Sequence, residues 1–416
     1  MVSIAYMDPG NYGTDIAAGA GFKYDLLWAA WLAGGMAMLL QYLSGKLGIV
    51  SGYSLPELVR MSLVKRRYVI PYWLAAEAAA AATDLAEYLG TVLGLNLLFG
   101  VPLLYASIFG ALDVILLLAM MGKRFRLIEQ YFALLISVLV FGILYNLAVV
   151  KPDLTQTAYH SVVPFASTNA AFLIVVGMIG ATVMPHALFV HSWLSKNKMD
   201  LMGRKINGGN LGSSVTESMK PTAHHHPYST GEIERTRKFH LKETIIALTI
   251  ASVVNAGILL IAIPLYPNPN VTVSDFVHGI GLLFGPAIAI VFILTLLASG
   301  LSSSALGTIS GQVIMEGLIG KHWNVWARRI VTRFINVFPT TFAILLGLDP
   351  LSLLVYSQVI LSLMIPLPMI PLVYYTSKKK FMAGFVNRRS TLVLAIVTVG
   401  LILVFNTFLL YTIFVP

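Results

Sequence analysis

Long apolar runs recur along the whole chain, at about 25–50, 68–99, 103–121, 127–149, 168–195, 240–266, 278–318, 326–347, 350–376 and 391–415, with a shorter one at the start. A stretch of about 20 apolar residues is what carries an α-helix across the hydrocarbon core of a bilayer. Counting the start, the pattern predicts about eleven transmembrane helices and an all-α integral membrane fold in one domain, residues 1–416. The connecting segments are short and marked by Pro and Gly, except for a polar, Gly/Ser-rich stretch at about 196–239, which is expected to be a flexible loop.

Composition supports the pattern: 57% of the 416 residues are hydrophobic and 11% charged, against roughly a quarter charged in soluble domains. The formal net charge of +10 would suit nucleic-acid binding, but its placement argues otherwise. Arg60, Lys65, Arg66 and Arg67, then Lys123, Arg124 and Arg126, then the basic residues of 196–242, then Lys321, Arg328 and Arg329, then Lys378 to Lys380 with Arg388 and Arg389, all fall in alternate loops. The opposite loops hold only Lys23 and Lys151. Such asymmetry is the positive-inside signature. It predicts a cytoplasmic N-terminus and an extracellular C-terminus, with no nucleic-acid partner. The residues before Asp8 lack the basic region of a cleavable signal peptide. The expected setting is the plasma membrane, as a multi-pass monomer in the lipid bilayer.

Two of the apolar runs are interrupted. In the first, Tyr6-Met7-Asp8-Pro9-Gly10-Asn11-Tyr12-Gly13 sets a carboxylate, a proline and an amide in an apolar context. In the sixth, Gly180-Ala181-Thr182-Val183-Met184-Pro185-His186 repeats the device about 176 residues on, at the first helix of the second five-helix half. Proline removes a backbone donor and glycine loosens the chain, and backbone released in this way persists in a membrane only around a cavity or an ion. Paired interrupted helices in the two halves of a membrane protein point to a transporter site. Two ordinary proline kinks are the plainer explanation. Asp8 weighs against it, since a charged side chain near mid-bilayer costs at least roughly 2.5 kcal/mol and normally has a partner or a function.

If both breaks face one cavity, they offer the Asp8 carboxylate, the Asn11 amide oxygen, the carbonyls of Ala5 and Ala181 and the Met184 thioether. Oxygen ligands alone suit Mg²⁺ and Ca²⁺, whereas a thioether favours softer divalent ions such as Fe²⁺, Co²⁺ or Cd²⁺ and, marginally, Mn²⁺. Ordinary packing is the alternative for Met184, as for most of the 16 methionines. A second set, Glu77, Asp84 and Glu87, sits at spacings of seven and three on one face of the third span. With His186 and with Arg328, Arg329 and Arg333 of the ninth span it forms either a relay for protons or an interhelical salt-bridge network. His191 and Gln358 are polar residues in apolar runs, each a ligand-side group or a satisfied interhelical bond. His224 to His226, in the long loop, are a further weak metal-binding signal. The chain has no cysteine, no His-Glu-x-x-His and no Gly-x-Ser-x-Gly, so a membrane-embedded protease or hydrolase is not expected, nor is a cofactor.

The motifs Asp8-Pro9-Gly10-Asn11 and Met184-Pro185-His186, together with Thr83-Asp84-Leu85-Ala86-Glu87, Ala298 to Ser304 and Ser357-Gln358-Val359-Ile360, resemble the Nramp family of proton-coupled divalent metal ion transporters, in its bacterial and archaeal MntH type. The resemblance runs almost end to end. It implies a LeuT-type inverted repeat of five plus five helices, the first repeat at about 1–149, the second at about 168–376 and an extra helix at about 391–415, with helices one and six discontinuous. It implies metal ligation by Asp8, Asn11, Met184 and the carbonyls of Ala5 and Ala181, joined in some states by Gln358. It also implies a proton pathway through Asp8, Glu77, Asp84, Glu87, His186, Arg328 and Arg329. The implied function is import of Mn²⁺ or Fe²⁺ by alternating access coupled to inward proton movement. The chain departs from the family pattern in Ala187, in Gly34, in the seven residues before Asp8 and in the long loop. A metal-sensing homologue that does not transport, and a sodium-coupled solute symporter of the same fold, are the alternatives.

Overall fold

The computed structural model describes residues 8–63, 65–110, 125–206, 229–320 and 324–414. Ala5 and His224 to His226 therefore lie outside the described residues. All regular structure among them is helical: α1 (Pro9–Phe22), α2 (Leu27–Ser51), α3 (Leu55–Ser62), α4 (Arg66–Phe99), α5 (Leu103–Gly110), α6 (Phe125–Val150), α7 (Leu154–Val162), α8 (Asn169–Val183), α9 (Pro185–Ile206), α10 (Thr230–Ala262), α11 (Val273–Phe284), α12 (Pro286–Ile319), α13 (Val325–Leu345), α14 (Pro350–Met364), α15 (Pro366–Thr376), α16 (Lys379–Met382) and α17 (Arg389–Phe414), with two single turns of 3₁₀-helix.

Seven of the helical segments are long and apolar enough to cross a membrane by themselves: α2, α6, α8 with α9, α10, α12, α14 with α15, and α17. The other expected spans fall short for local reasons. Described residues of the first begin at Asp8 and leave a helix of 14 residues; α4 carries Glu77, Asp84 and Glu87, α5 is described only to Gly110, and α13 carries three arginines. The expected run at 278–318 is divided at Gly285, whose φ of 95° ends α11 before Pro286 opens α12. Helical structure also reaches into the expected flexible stretch from both sides, to Ile206 and from Thr230.

Burial identifies the centre of the bundle. The most apolar part of α8–α9 is 94% buried inside the protein, against 22% for α6 and 28% for α17, which leave most of their side chains uncovered by the rest of the chain. Side chains from Pro9 to Ile16 of α1 are buried too. The two helices that carry proline breaks are thus the innermost. Without a hydrophobic drive between helices in lipid, close approach depends on small residues. α4 and α12 meet that way: a Cβ at Gly300 would lie 2.7 Å from Thr91 Oγ1 and 2.8 Å from its backbone nitrogen. Beside that contact, Gly90 of α4 admits the ring of Pro9.

Candidate functional site

Asp8 is in extended conformation and caps α1, its Oδ2 accepting the Gly10 backbone N–H at 3.1 Å. Its other oxygen, Oδ1, is buried with no hydrogen-bond donor among the described residues. Across from it, α14 supplies Gln358. The Gln358 amide packs directly over Gly10, at the place where a Cβ on that glycine would also lie 2.6 Å from Asp8 Oδ2. Gln358 donates from Nε2 to Ser357 Oγ at 3.0 Å, and its Oε1, like Asp8 Oδ1, is buried without a donor among the described residues. Two side chains that each carry a buried acceptor oxygen thus meet at the start of α1.

The sixth-span break supplies the complement. α8 ends at Val183, Met184 takes a left-handed conformation with φ 47°, and Pro185 opens α9. In a helix the carbonyl of residue i bonds the N–H of residue i+4. For Ala181 that residue is Pro185, which has no N–H, so a buried carbonyl is released from the ladder at the bend. The same arithmetic pairs Ala5 with Pro9, although Ala5 lies outside the described residues. The Met184 side chain is buried at the same bend. α8 is held close to α14 because Gly180 rests against the carbonyl oxygen of Gln358, and a Cβ there would also lie 2.8 Å from Ser362 N.

Asn11 joins the two breaks, in an arrangement that the sequence did not suggest. Its Oδ1 accepts from Thr182 Oγ1 of α8 at 3.1 Å and from Asn255 Nδ2 of α10 at 3.1 Å. Asn255 was not among the expected site residues. The signal for it was the one noted for Gln358, a lone amide inside an apolar run. In this conformation the Asn11 oxygen is engaged as a latch between three helices, and a cation reaching it must displace at least one of those donors.

The second set of ionisable residues divides in two. His186 Nδ1 is 2.9 Å from Thr83 Oγ1 of α4, and Asp84 is the next residue along that helix. One turn along α4, Glu87 Oε2 lies 2.5 Å and Asp84 Oδ1 3.5 Å from where a Cβ on Gly307 would stand. One turn further on α12, the Arg328 guanidinium fills the space beside Gly311, its Nη2 2.7 Å from the position of a Cβ. That guanidinium pairs with Glu77, Nη2 to Oε1 2.7 Å and to Oε2 2.6 Å, while Trp73 Nε1 donates to Oε1 at 2.9 Å. Gly307 and Gly311 therefore form a trough in α12 that houses a chain of ionisable groups from α4 and α13. Arg329 and Arg333 lie on α13 as well, with side chains outside the described set. His191 sits apart, its Nδ1 2.7 Å from Gln41 Oε1 of α2. No group of three or more His, Asp or Glu side chains able to hold a metal occurs among the described residues. The donor set at the breaks is instead mixed: carboxylate, amide, carbonyl and thioether.

Comparison with known proteins places this architecture. The family model described as natural resistance-associated macrophage protein-like, Nramp, matches residues 1–412. The divalent metal cation transporter MntH of Deinococcus radiodurans is 37% identical over 417 residues, covering 99% of this chain and 88% of its own. The protein of that name from Bacillus subtilis is 35% identical, covering 99% and 90%. Among solved structures, the manganese transporter of Eremococcus coleocola superposes with a TM-score of 0.82 at 31% identity, over 97% of this chain and 83% of that one. The fold extends to the inward-facing conformation of Mhp1, at a TM-score of 0.51 and 15% identity, over 99% and 90%. These relatives are named as transporters, not as enzymes, and they share the LeuT-like fold of an all-α, multi-pass membrane protein. Because the match runs unbroken through both interrupted helices and the residues gathered around them, the chain belongs to the Nramp family.

Proposed function

We propose that the protein imports divalent transition metal ions, Mn²⁺ and Fe²⁺, across the plasma membrane by alternating access coupled to proton movement. The observation that carries this reading is that Asp8 and Gln358, each with a buried acceptor oxygen, meet at Gly10 on helices tied to the sixth-span bend through Thr182 and Gly180, the bend that carries Met184 and the released Ala181 carbonyl. A carboxylate supplies charge for a divalent ion, and the thioether biases the set against Mg²⁺ and Ca²⁺. The mixed set suits cargo that must leave again, which a cage of several carboxylates does not. The names of the relatives point the same way.

The chain of ionisable groups supports the proton side. Asp8 sits at one end, His186 with Thr83, Asp84 and Glu87 continue along α4, and Glu77 with Arg328 and Arg329 complete the route on the proposed inward path. Ionisable side chains inside a membrane bundle commonly serve as such relays. The test is Mn²⁺ uptake into proteoliposomes at two external pH values. Uptake is expected to rise when the outside is more acidic, and Asp8→Ala is expected to abolish it. Undiminished uptake by the Asp8 variant overturns the assignment of the metal site, and uptake indifferent to the pH difference overturns the proton coupling.

A further inference from the structure

Asp15 is a buried carboxylate that none of the roles above uses. It is 2% exposed, and its Oδ2 has no hydrogen-bond donor among the described residues. Its position is bracketed. Asn11, Asp15 and Gly19 follow one another at single-turn intervals on one face of α1. Below, Asn11 is bonded to Asn255 of α10 at 3.1 Å. Above, Gly19 packs on the carbonyl of Leu259 of α10, and a Cβ there would lie 2.8 Å from Ala262 Cβ. Asn255 and Leu259 are themselves one turn apart, so Asp15 stands in the α1–α10 seam between these two contacts. Asn255, also 2% exposed, spends its Nδ2 on Asn11, and its Oδ1 likewise has no donor among the described residues.

A buried carboxylate and a buried amide oxygen are thus set into one seam without a donor between them. Such groups in a low-dielectric interior are costly unless something positive meets them. They lie on the same face of α1 as Asp8, displaced outward along a helix whose C-terminal end is extracellular by the charge asymmetry of the loops. We propose that Asp15 and Asn255 form an outer waiting site for the divalent cation, a weak station that holds it one helical turn before the Asn11 latch. The proposal rests on the metal-import reading given above. It adds a site with oxygen donors only, which accepts divalent ions with little discrimination and leaves selection to Met184 further in. A water molecule bridging the two oxygens is the competing occupant, and the test separates the two.

The measurement is Mn²⁺ binding to the purified full-length protein, followed by loss of the free-Mn²⁺ electron paramagnetic resonance signal. In Asp8→Asn, with the inner site weakened, a residual low-affinity Mn²⁺ is expected, and Asp8→Asn/Asp15→Asn should lose it. Asp8→Asn/Asn255→Asp, which adds a charge to the seam, should bind that Mn²⁺ more tightly than Asp8→Asn alone. In proteoliposomes, Asp15→Asn is expected to raise the KM for Mn²⁺ about three- to tenfold, as for one lost weak ligand, with Vmax little changed. Equal binding by the single and double Asn variants, no gain from Asn255→Asp, or an unchanged KM each overturns the waiting site. If the unaltered protein itself neither binds nor transports Mn²⁺, the metal-import reading falls, and the outer site falls with it.

Discussion

Met184 does two things with one residue: its backbone makes the bend at φ 47°, and its buried side chain brings a soft thioether to the same bend. Replacing the side chain leaves the bend in place, because Pro185 still prevents the helix from continuing in register. Met184→Ala is therefore expected to keep Mn²⁺ uptake while reducing its preference over Ca²⁺ by about an order of magnitude, equivalent to one favourable contact of roughly 1.4 kcal/mol. Competition of Ca²⁺ against Mn²⁺ uptake reads this directly. Gly180 is the other position where a single atom decides. A Cβ there collides with the Gln358 carbonyl, which is backbone and cannot swing away. Gly180→Val should force α8 from α14 and cost about 1–3 kcal/mol, measurable as a lower midpoint of thermal unfolding in detergent. At this scale the sequence was informative wherever a residue contradicts its surroundings. Asp8, the two prolines and Gln358 stand out in apolar runs. Asn255 stands out equally but has no neighbouring break to draw attention to it, and its value comes from Asn11, 244 residues earlier in the chain.

Between elements, long-range pairings are what local patterning cannot supply. The shared face of Glu77, Asp84 and Glu87 follows from helical spacing. That Glu77 takes Arg328, and that Asp84 and Glu87 lie over Gly307, depends on α12 and α13 being brought against α4. The apolar runs gave the helices, and breaks such as Gly285 refined them only when the chain direction was known. A similar long-range tie joins α3 to α9. Ser192 of α9 accepts the Leu55 backbone N–H of α3 at 2.9 Å, and Lys196 donates to Glu57 at 2.8 Å. Burial works against the Glu57 carboxylate, but Lys196 together with the Ser54 N–H more than offsets it and holds Glu57 below its ordinary value of 4.5. For a carboxyl whose pKa is lowered by folding, the stabilisation is complete above the unfolded value and disappears as pH falls through the folded one. The α3–α9 tie should therefore be intact at neutral pH and loosen only well below pH 4.5. Hydrogen exchange of residues 54–62 is expected to accelerate in that acidic range, and Glu57→Gln should show the faster exchange already at neutral pH.

For the whole molecule, the described conformation is closed on the side of the breaks that holds the start of α8 and the end of α1. Residues 171 and 174–183 of α8 and Ala18 of α1 are buried, and the Asn11 latch ties α1, α8 and α10 together. The chain contains no cysteine, so a single Ala18→Cys reports on the seal without other changes. Labelling of that position by a membrane-impermeant maleimide should be slow and should speed up when Asn255→Ala removes one of the two latch donors. Unaltered labelling in the combined variant would show that the seal does not depend on Asn255. One oxygen, Asn11 Oδ1, serves here as a bolt, and on the proposed function it also serves as a ligand. It cannot do both at once. An ion arriving from outside competes with the door for the same atom, so its measured affinity includes the work of drawing the bolt. On that same reading, a protein that has delivered its ion gets the bolt back, and the empty transporter relocks itself without any further signal.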